Sequence, residues 1–148
     1  ILGSHQDRNV YYKKLLSLVG KYRLNRKIQF ISLCKEMPLA YKLADVVVSA
    51  SIEPEAFGRV SVEAQSMEKP IIASEIGGSK ETILKNKSGL LFKSGDPISL
   101  AEKLKEILNL DENATKLMGI EGRKNVLKKF DIEKMCNSTI TEYKKLIS

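Results

Sequence analysis

"DVVVSASIEPEAFGRVSVEAQSMEKPIIAS", residues 45–74, decides how the chain folds. It opens on a β-branched run, 45–50, which predicts a strand buried on both faces. A loop follows, and residues 59–68 then carry a helical spacing of apolar positions. "PIIAS", 70–74, is a second strand, bounded by the turn signal "IGGS". Strand, loop, helix and strand within 30 residues make a βαβ unit with parallel strands.

The rest of the chain repeats this alternation. Residues 8–24 read as a helix, "KIQFI" (27–31) as a strand and 36–44 as a short helix. A short helix over about 79–85 and a strand "SGLLF" (88–92) come after the unit. Asp96-Pro97 then pairs an N-cap with a first-turn proline. The helix it opens carries Leu100, Leu104, Ile107 and Leu108 on one stripe. Helices near 112–129 and 132–147 complete the order, with Tyr143 and Leu146 as packing residues of the last. The expected fold is α/β: a single Rossmann-like domain over 1–148, three-layered, with about five parallel strands between helices. The first strand is expected to be only partial, since the chain opens on what reads as a strand end.

Composition limits the function classes. Hydrophobic content of 43% with 29% charged residues is that of a folded domain rather than a disordered one. Neither a secretory leader nor an apolar run of membrane-spanning length is visible. One histidine and two distant cysteines, Cys34 and Cys136, do not compose a metal site, and two unpaired thiols suit a reducing cytoplasm. The net charge of +7 is uneven: residues 1–50 hold nine Lys or Arg against three Asp or Glu. Twenty of the 25 basic residues are Lys and aromatics are only 6%, which disfavours a nucleic-acid partner. A solvated lysine surface, or peripheral contact with an anionic membrane, fits better.

In an open parallel sheet, ligands bind beyond the carboxyl ends of the strands. The loop after 45–50 carries Glu55 and closes on Gly58 just before the helix. That helix start presents unpaired N–H groups and the positive end of its dipole, a seat for phosphate. Glu63, one turn on, is an acceptor-only fork suited to a vicinal diol such as that of ribose. Phosphate, ribose and a further hydroxylated group at Glu55 together describe a nucleotide sugar. An acid pair placed only to suit a helix dipole is the plain alternative. Ser51 and Ser61 lack a His/Asp setting and are not read as nucleophiles. His5 reads as an exposed loop residue on the ligand side.

Glu55 and Glu63 in an E-x7-E pattern, the Gly77-Gly78 turn followed by Glu81-Thr82, "SGLLF", and a "GD" before the "LAEKL" helix occur together and in order. From about 27 to 108 the chain resembles the C-terminal, donor-binding domain of the retaining GT-B glycosyltransferases of family 4, or group 1. The resemblance implies that Glu63 binds the donor ribose and Glu55 contacts the transferred sugar. It implies that backbone groups at Phe57 and Gly58 line the sugar site, and that those at Arg59 and Val60 face the diphosphate. The Arg59 side chain itself reads as a surface group. The Gly77-Gly78 turn either approaches a donor sugar or phosphate or simply meets the need of a tight strand–helix turn for Gly, and the resemblance implies that Leu33 and Cys34 lie near the nucleobase.

The implied activity is sugar transfer from a UDP-, GDP- or ADP-sugar, without metal or cofactor. Cell-envelope polysaccharide or lipopolysaccharide synthesis in the cytoplasm, on the membrane's inner face, is the implied setting. An N-terminal acceptor-binding domain, in cis or trans, is the implied partner, and the last helix would cross to it. The phosphate-clamping Arg and Lys of the family would lie upstream of Ile1, so the chain alone is expected not to transfer sugar. A nucleotide-sugar epimerase or a phosphorylase of similar fold, and a non-catalytic scaffold or one subunit of a two-chain transferase, are the alternatives. Glu68 stands where the family usually has Gly. If it takes the left-handed conformation ending the helix, it costs about 1 kcal/mol.

Overall fold

The computed structural model describes residues 1–3 and 9–147, so His5 and the expected helix start at Arg8 lie outside the described residues. The chain divides into two compact units, Ile1–Ala40 and Tyr41–Ser148.

In the first unit, α1 (Asn9–Lys21) ends earlier than its apolar spacing predicts. Arg23 adopts φ +55°, and the N–H groups of Arg23 and Leu24 return to the carbonyls of Gly20 and Val19. That paired closure stops the helix. The expected strand 27–31 is reduced to one parallel bridge, Leu2 to Ile31. The reason is local: the N–H groups of Lys27 and Ile28 both donate to the Leu24 carbonyl, at 2.8 and 3.0 Å, so the run begins inside a turn. Only its end is extended, where Gly3 and Ile31 donate to the carbonyls of Ile31 and Ile1. Tyr12 and Phe30 meet edge to face at 5.4 Å. Exposed Tyr11 and Leu18 of α1, with exposed Tyr22 just past its end, accompany exposed Lys13, Lys14 and Lys21.

The second helix, α2 (Met37–Leu43), leads into the second unit, where Tyr41 is buried. Three parallel strands follow in sheet order: β1 (Val47–Ser49), β2 (Ile71–Ser74) and β3 (Gly89–Phe92). Their register pairs Val48 with Ile72 and Ile72 with Leu90. Helix α3 (Arg59–Ser66) crosses from β1 to β2, and the short α4 (Ser79–Thr82) lies between β2 and β3. Then come α5 (Pro97–Leu108), α6 (Glu112–Lys129) and α7 (Ile132–Ile147).

Helices flank this parallel sheet, the α/β arrangement the alternation predicts. Among the described residues three regular strands form, fewer than the five expected. Burial on both faces belongs to β2 and β3, every residue of which is buried. It does not belong to β1, which sits at a sheet edge with Val48 exposed. Ile72, Leu90 and Phe92 share one face by strand alternation and pack with Ile107 and Met118 of α5 and α6. Asp96 caps α5 as expected, its Oδ1 accepting from the N–H groups of Ile98 and Ser99.

A polar cluster joins α3, α4 and α6. Gln65, with no exposed surface, donates through Nε2 to the carbonyls of Ser61 and Thr82. Asn125 of α6 donates to the same Thr82 carbonyl at 2.9 Å. The Thr82 hydroxyl in turn donates to Gly78. The far end of α3 closes on Glu68, which takes φ +56°, the left-handed conformation anticipated for it. Lys69 N–H returns to Ala64 and Glu68 N–H to Gln65, the paired bonds of a Schellman closure. Arg123 of α6 donates to the Ser66 carbonyl and lies 3.7 Å from the Glu68 carboxylate.

No residue of α7 is buried: Ile132, Met135, Ile140, Tyr143, Leu146 and Ile147 are all exposed. Tyr143 and Leu146 are therefore not packing residues within this chain.

Candidate functional site

Parallel strands deliver the loops after β1, β2 and β3 to one edge of the sheet, and these loops are bonded to one another. Gly78 N–H donates to the Glu55 carbonyl at 2.9 Å, tying the β2 loop to the β1 loop. The Ser94 hydroxyl, after β3, donates to the Ser51 carbonyl at 3.4 Å. Gly77 and Gly78 are required by this contact. A Cβ on Gly77 would lie 2.4 Å from the Glu55 carbonyl oxygen, and one on Gly78 would lie 2.5 Å from the Phe57 carbonyl carbon. The glycine pair lets two backbones touch, which is a different reason from the tight turn alone.

Gly58 is the N-cap of α3, with φ +77° and no side-chain cap. The left-handed turn swings the chain from loop into helix, and a residue with a Cβ would be strained there. Ser61 N–H returns to Gly58, while the first N–H groups, those of Arg59 and Val60, point out of the helix end without a side-chain acceptor among the described residues. The Phe57 ring is turned onto Phe130 at the end of α6, edge to face at 5.5 Å, so Phe57 offers its backbone to the site.

The two acids have separate partners. Glu55, half-buried, accepts a hydrogen bond from the Ser51 hydroxyl. Glu63 accepts from two sides: Tyr41 donates its phenol to Oε2 at 2.8 Å, and Arg59 donates to Oε1 at 3.0 Å. The Arg59 side chain is 84% exposed and that of Glu63 36%, so the carboxylate stays within reach of a ligand. Burial, first of all, and then the hydrogen bond and charge of Glu63 push the Tyr41 phenol well above its ordinary pKa; Arg59 pulls the other way. Tyr41 is thus a permanent hydrogen-bond donor at any physiological pH. No carboxylate dyad exists here, because the two acids share no hydrogen-bond partner among the described residues.

Of the sequence-predicted residues, Glu55, Phe57, Gly58, Arg59, Val60, Glu63, Gly77 and Gly78 lie along the two bonded loops and the start of α3. Leu33, 71% exposed, and the half-buried Cys34 belong to the first unit. Ser51 and Tyr41 were missed. Ser51 stands four residues before Glu55, a spacing at which a hydroxyl can reach an acid within a loop. Tyr41 gives a weaker signal, since a lone aromatic on a short amphipathic helix reads as core. A cavity of 310 Å³ lined by Leu110, Ala114, Leu117, Met118, Asn86, Lys87 and Glu121 shares no residue with this site. Among the described residues no group of three His, Cys, Asp or Glu could hold a metal ion, and no helix is long and apolar enough to cross a membrane.

A family model described as "Glycosyl transferases group 1" matches residues 1–125. The chain is 35% identical over 95 residues to the capsular polysaccharide biosynthesis glycosyltransferase CapM of Staphylococcus aureus, covering 60% of this chain and 25% of that protein. A glycosyltransferase from Rickettsia africae superposes on 99% of this chain with a TM-score of 0.91 at 30% identity; 39% of that protein is covered. Anabaena Alr3699/HepE, solved in complex with UDP-glucose, superposes on 97% with a TM-score of 0.89 at 26% identity, again covering 39% of its partner in the comparison. The chain therefore spans between a quarter and two-fifths of the length of these relatives.

Proposed function

The chain belongs to the glycosyl transferases group 1 family and has the size and fold of a GT-B C-terminal domain, and on that premise we propose that it is the donor-binding half of a retaining glycosyltransferase. The observation that carries this reading is the arrangement at α3: an uncapped helix N-terminus flanked by two separately held acids. The N–H groups of Arg59 and Val60 and the helix dipole receive a diphosphate. Glu63 binds the ribose diol and Glu55 faces the sugar. Gly77 and Gly78 keep the second loop close beneath them, and Leu33 and Cys34 are assigned to the nucleobase.

In the transfer, the bond from the anomeric carbon to the diphosphate oxygen breaks and its electron pair leaves on the diphosphate. An acceptor hydroxyl oxygen takes its place with retained configuration, and the hydroxyl proton is released. The helix end acts by stabilising the charge that develops on the leaving group. The donor class, a nucleotide sugar, is supported by the complex of the Anabaena neighbour with UDP-glucose. Cell-envelope polysaccharide synthesis is supported by the likeness to the capsular enzyme.

The acceptor is assigned to a second, N-terminal domain, present in cis or trans, against which the exposed apolar residues of α7 dock. The exposed lysines and tyrosines of α1 support peripheral contact with the inner face of the membrane.

The test is calorimetry with UDP, GDP, ADP and their sugars on the wild type and on Glu63→Ala. We expect one nucleotide class to bind, and Glu63→Ala to weaken it by about tenfold or more, the scale of hydrogen bonds to a charged group. Absence of any nucleotide binding would leave a scaffold module. Binding untouched by the substitution would remove the ribose assignment.

A further inference from the structure

The contact that no part of the donor-site reading requires is the one between Tyr41 and Glu63. We propose that Tyr41 is a positioning residue for ribose recognition: its hydroxyl holds the Glu63 carboxylate so that one lone pair on each oxygen faces a vicinal diol. This rests on the assignment of Glu63 to the donor ribose.

A carboxylate has about four lone-pair positions, two on each oxygen. Tyr41 occupies one on Oε2 and Arg59 one on Oε1. One remains on each oxygen, which is the pattern that two adjacent hydroxyl donors need.

The two holders differ in kind. Arg59 lies on the same helix, one turn before Glu63, and its side chain is 84% exposed. Such a surface pair is weak and readily exchanged. Tyr41 comes from α2, is only 5% exposed, and reaches Glu63 from a different element. Its ring is fixed by burial, and the position of its hydroxyl oxygen is fixed with it. Burial and the neighbouring Glu63 hold its phenol well above its ordinary pKa, so it stays protonated and donates at neutral pH.

A role in stability alone does not explain this geometry. The Glu63 side chain is 36% exposed and has water available as a partner. What the bond removes is rotamer freedom. An exposed glutamate would lose that freedom on binding a ligand, and one already held loses less. The bond thus acts on recognition of the diol and leaves recognition of the phosphates unaffected.

That separation supplies the experiment. Binding of UDP, GDP and ADP is compared by calorimetry with binding of their 2′,3′-dideoxy counterparts, for the wild type, Tyr41→Phe, Glu63→Ala and the double variant. The wild type prefers the ribose form. Tyr41→Phe weakens the ribose form by about tenfold and leaves the dideoxy form unchanged. In the Glu63→Ala background, adding Tyr41→Phe costs nothing further, because no carboxylate remains to be held.

Equal weakening of ribose and dideoxy forms by Tyr41→Phe would assign the tyrosine to packing and overturn the proposal. So would a ribose preference that Glu63→Ala abolishes and Tyr41→Phe retains, and in that case the donor-site reading survives. A wild type that binds none of the six overturns the donor-site reading, and one that binds ribose and dideoxy forms alike removes the ribose assignment of Glu63; either result overturns the proposal at that earlier step. If Tyr41→Phe does not fold, Tyr41→Met, of similar bulk and likewise without a hydroxyl, is measured against the same outcomes.

Discussion

The two ends of α3 are finished in opposite ways. At Gly58 the helix starts without a side-chain cap, and its first N–H groups are left for an outside acceptor. At Glu68 it stops with both returning N–H groups bonded, Gly119 beneath the Glu68 carbonyl, and Arg123 on the Ser66 carbonyl. A capping side chain at the first end would compete with a bound anion. Looseness at the second would let the whole helix swing. The same helix is left without a cap at one end and tied down by several bonds at the other.

This contrast can be broken from either side. The largest effect is expected of Gly77→Ala, which acts at the open end. Its Cβ would meet the Glu55 carbonyl oxygen at 2.4 Å and the Glu55 nitrogen at 2.8 Å, in a residue already at φ +50°. We expect a stability loss of about 3 kcal/mol in urea denaturation together with loss of nucleotide binding. Unchanged affinity would show that the bonded loops do not shape the open end.

Gly119→Ala acts at the closed end, where a Cβ would lie 2.0 Å from the Glu68 carbonyl oxygen. A shift of α6 relieves part of that clash, so the expected loss is about 2 kcal/mol, with a smaller loss of nucleotide affinity than Gly77→Ala because Asn125 moves with α6. A loss of affinity as large as that of Gly77→Ala would show that the open end has no stronger hold on the ligand than the closed one. The smallest effect belongs to Glu68→Gly. Removing the left-handed cost stabilises by about 1 kcal/mol, and losing the half-exposed ion pair with Arg123 returns a few tenths of a kcal/mol. A net gain is expected in the denaturation midpoint. A net loss would mean that the Arg123 contact outweighs the backbone strain.

What could be read from the sequence follows how local its cause is. The cap at Asp96 and the strand at Ile71–Ser74 depend on neighbours within a few positions, and their order and residue types announce them, whereas the left-handed Glu68 was raised only by the glycine usual there in the family it resembles. The strand expected at 27–31 failed for a local reason that propensity does not record: two of its N–H groups were already committed to Leu24. The exposure of Val48 depends on what covers its face of β1, since β3 lies at the other edge of the same sheet and is wholly buried.

At the site, the E-x7-E spacing located both acids, but their holders come from different parts of the chain. Tyr41 stands 22 residues before Glu63 and meets it only because α2 and α3 pack near each other. The true requirement for Gly77 is likewise nonlocal, since it is the Glu55 backbone that forbids a side chain there.

The Thr82 carbonyl oxygen has both lone pairs engaged, one by Gln65 and one by Asn125. Apolar contacts tolerate a helix that slips or rolls a little, because they are nearly indifferent to direction. Two amide donors converging on one oxygen are not indifferent. Sliding α3 by one residue would turn its side chains by about 100° and strand a buried amide without an acceptor. The cluster therefore sets the rotational phase of α3, and with it the compass bearing along which Glu63 projects. The bearing of Glu63 is thus calibrated from nearly the opposite face of its own helix, where Gln65 lies two residues on.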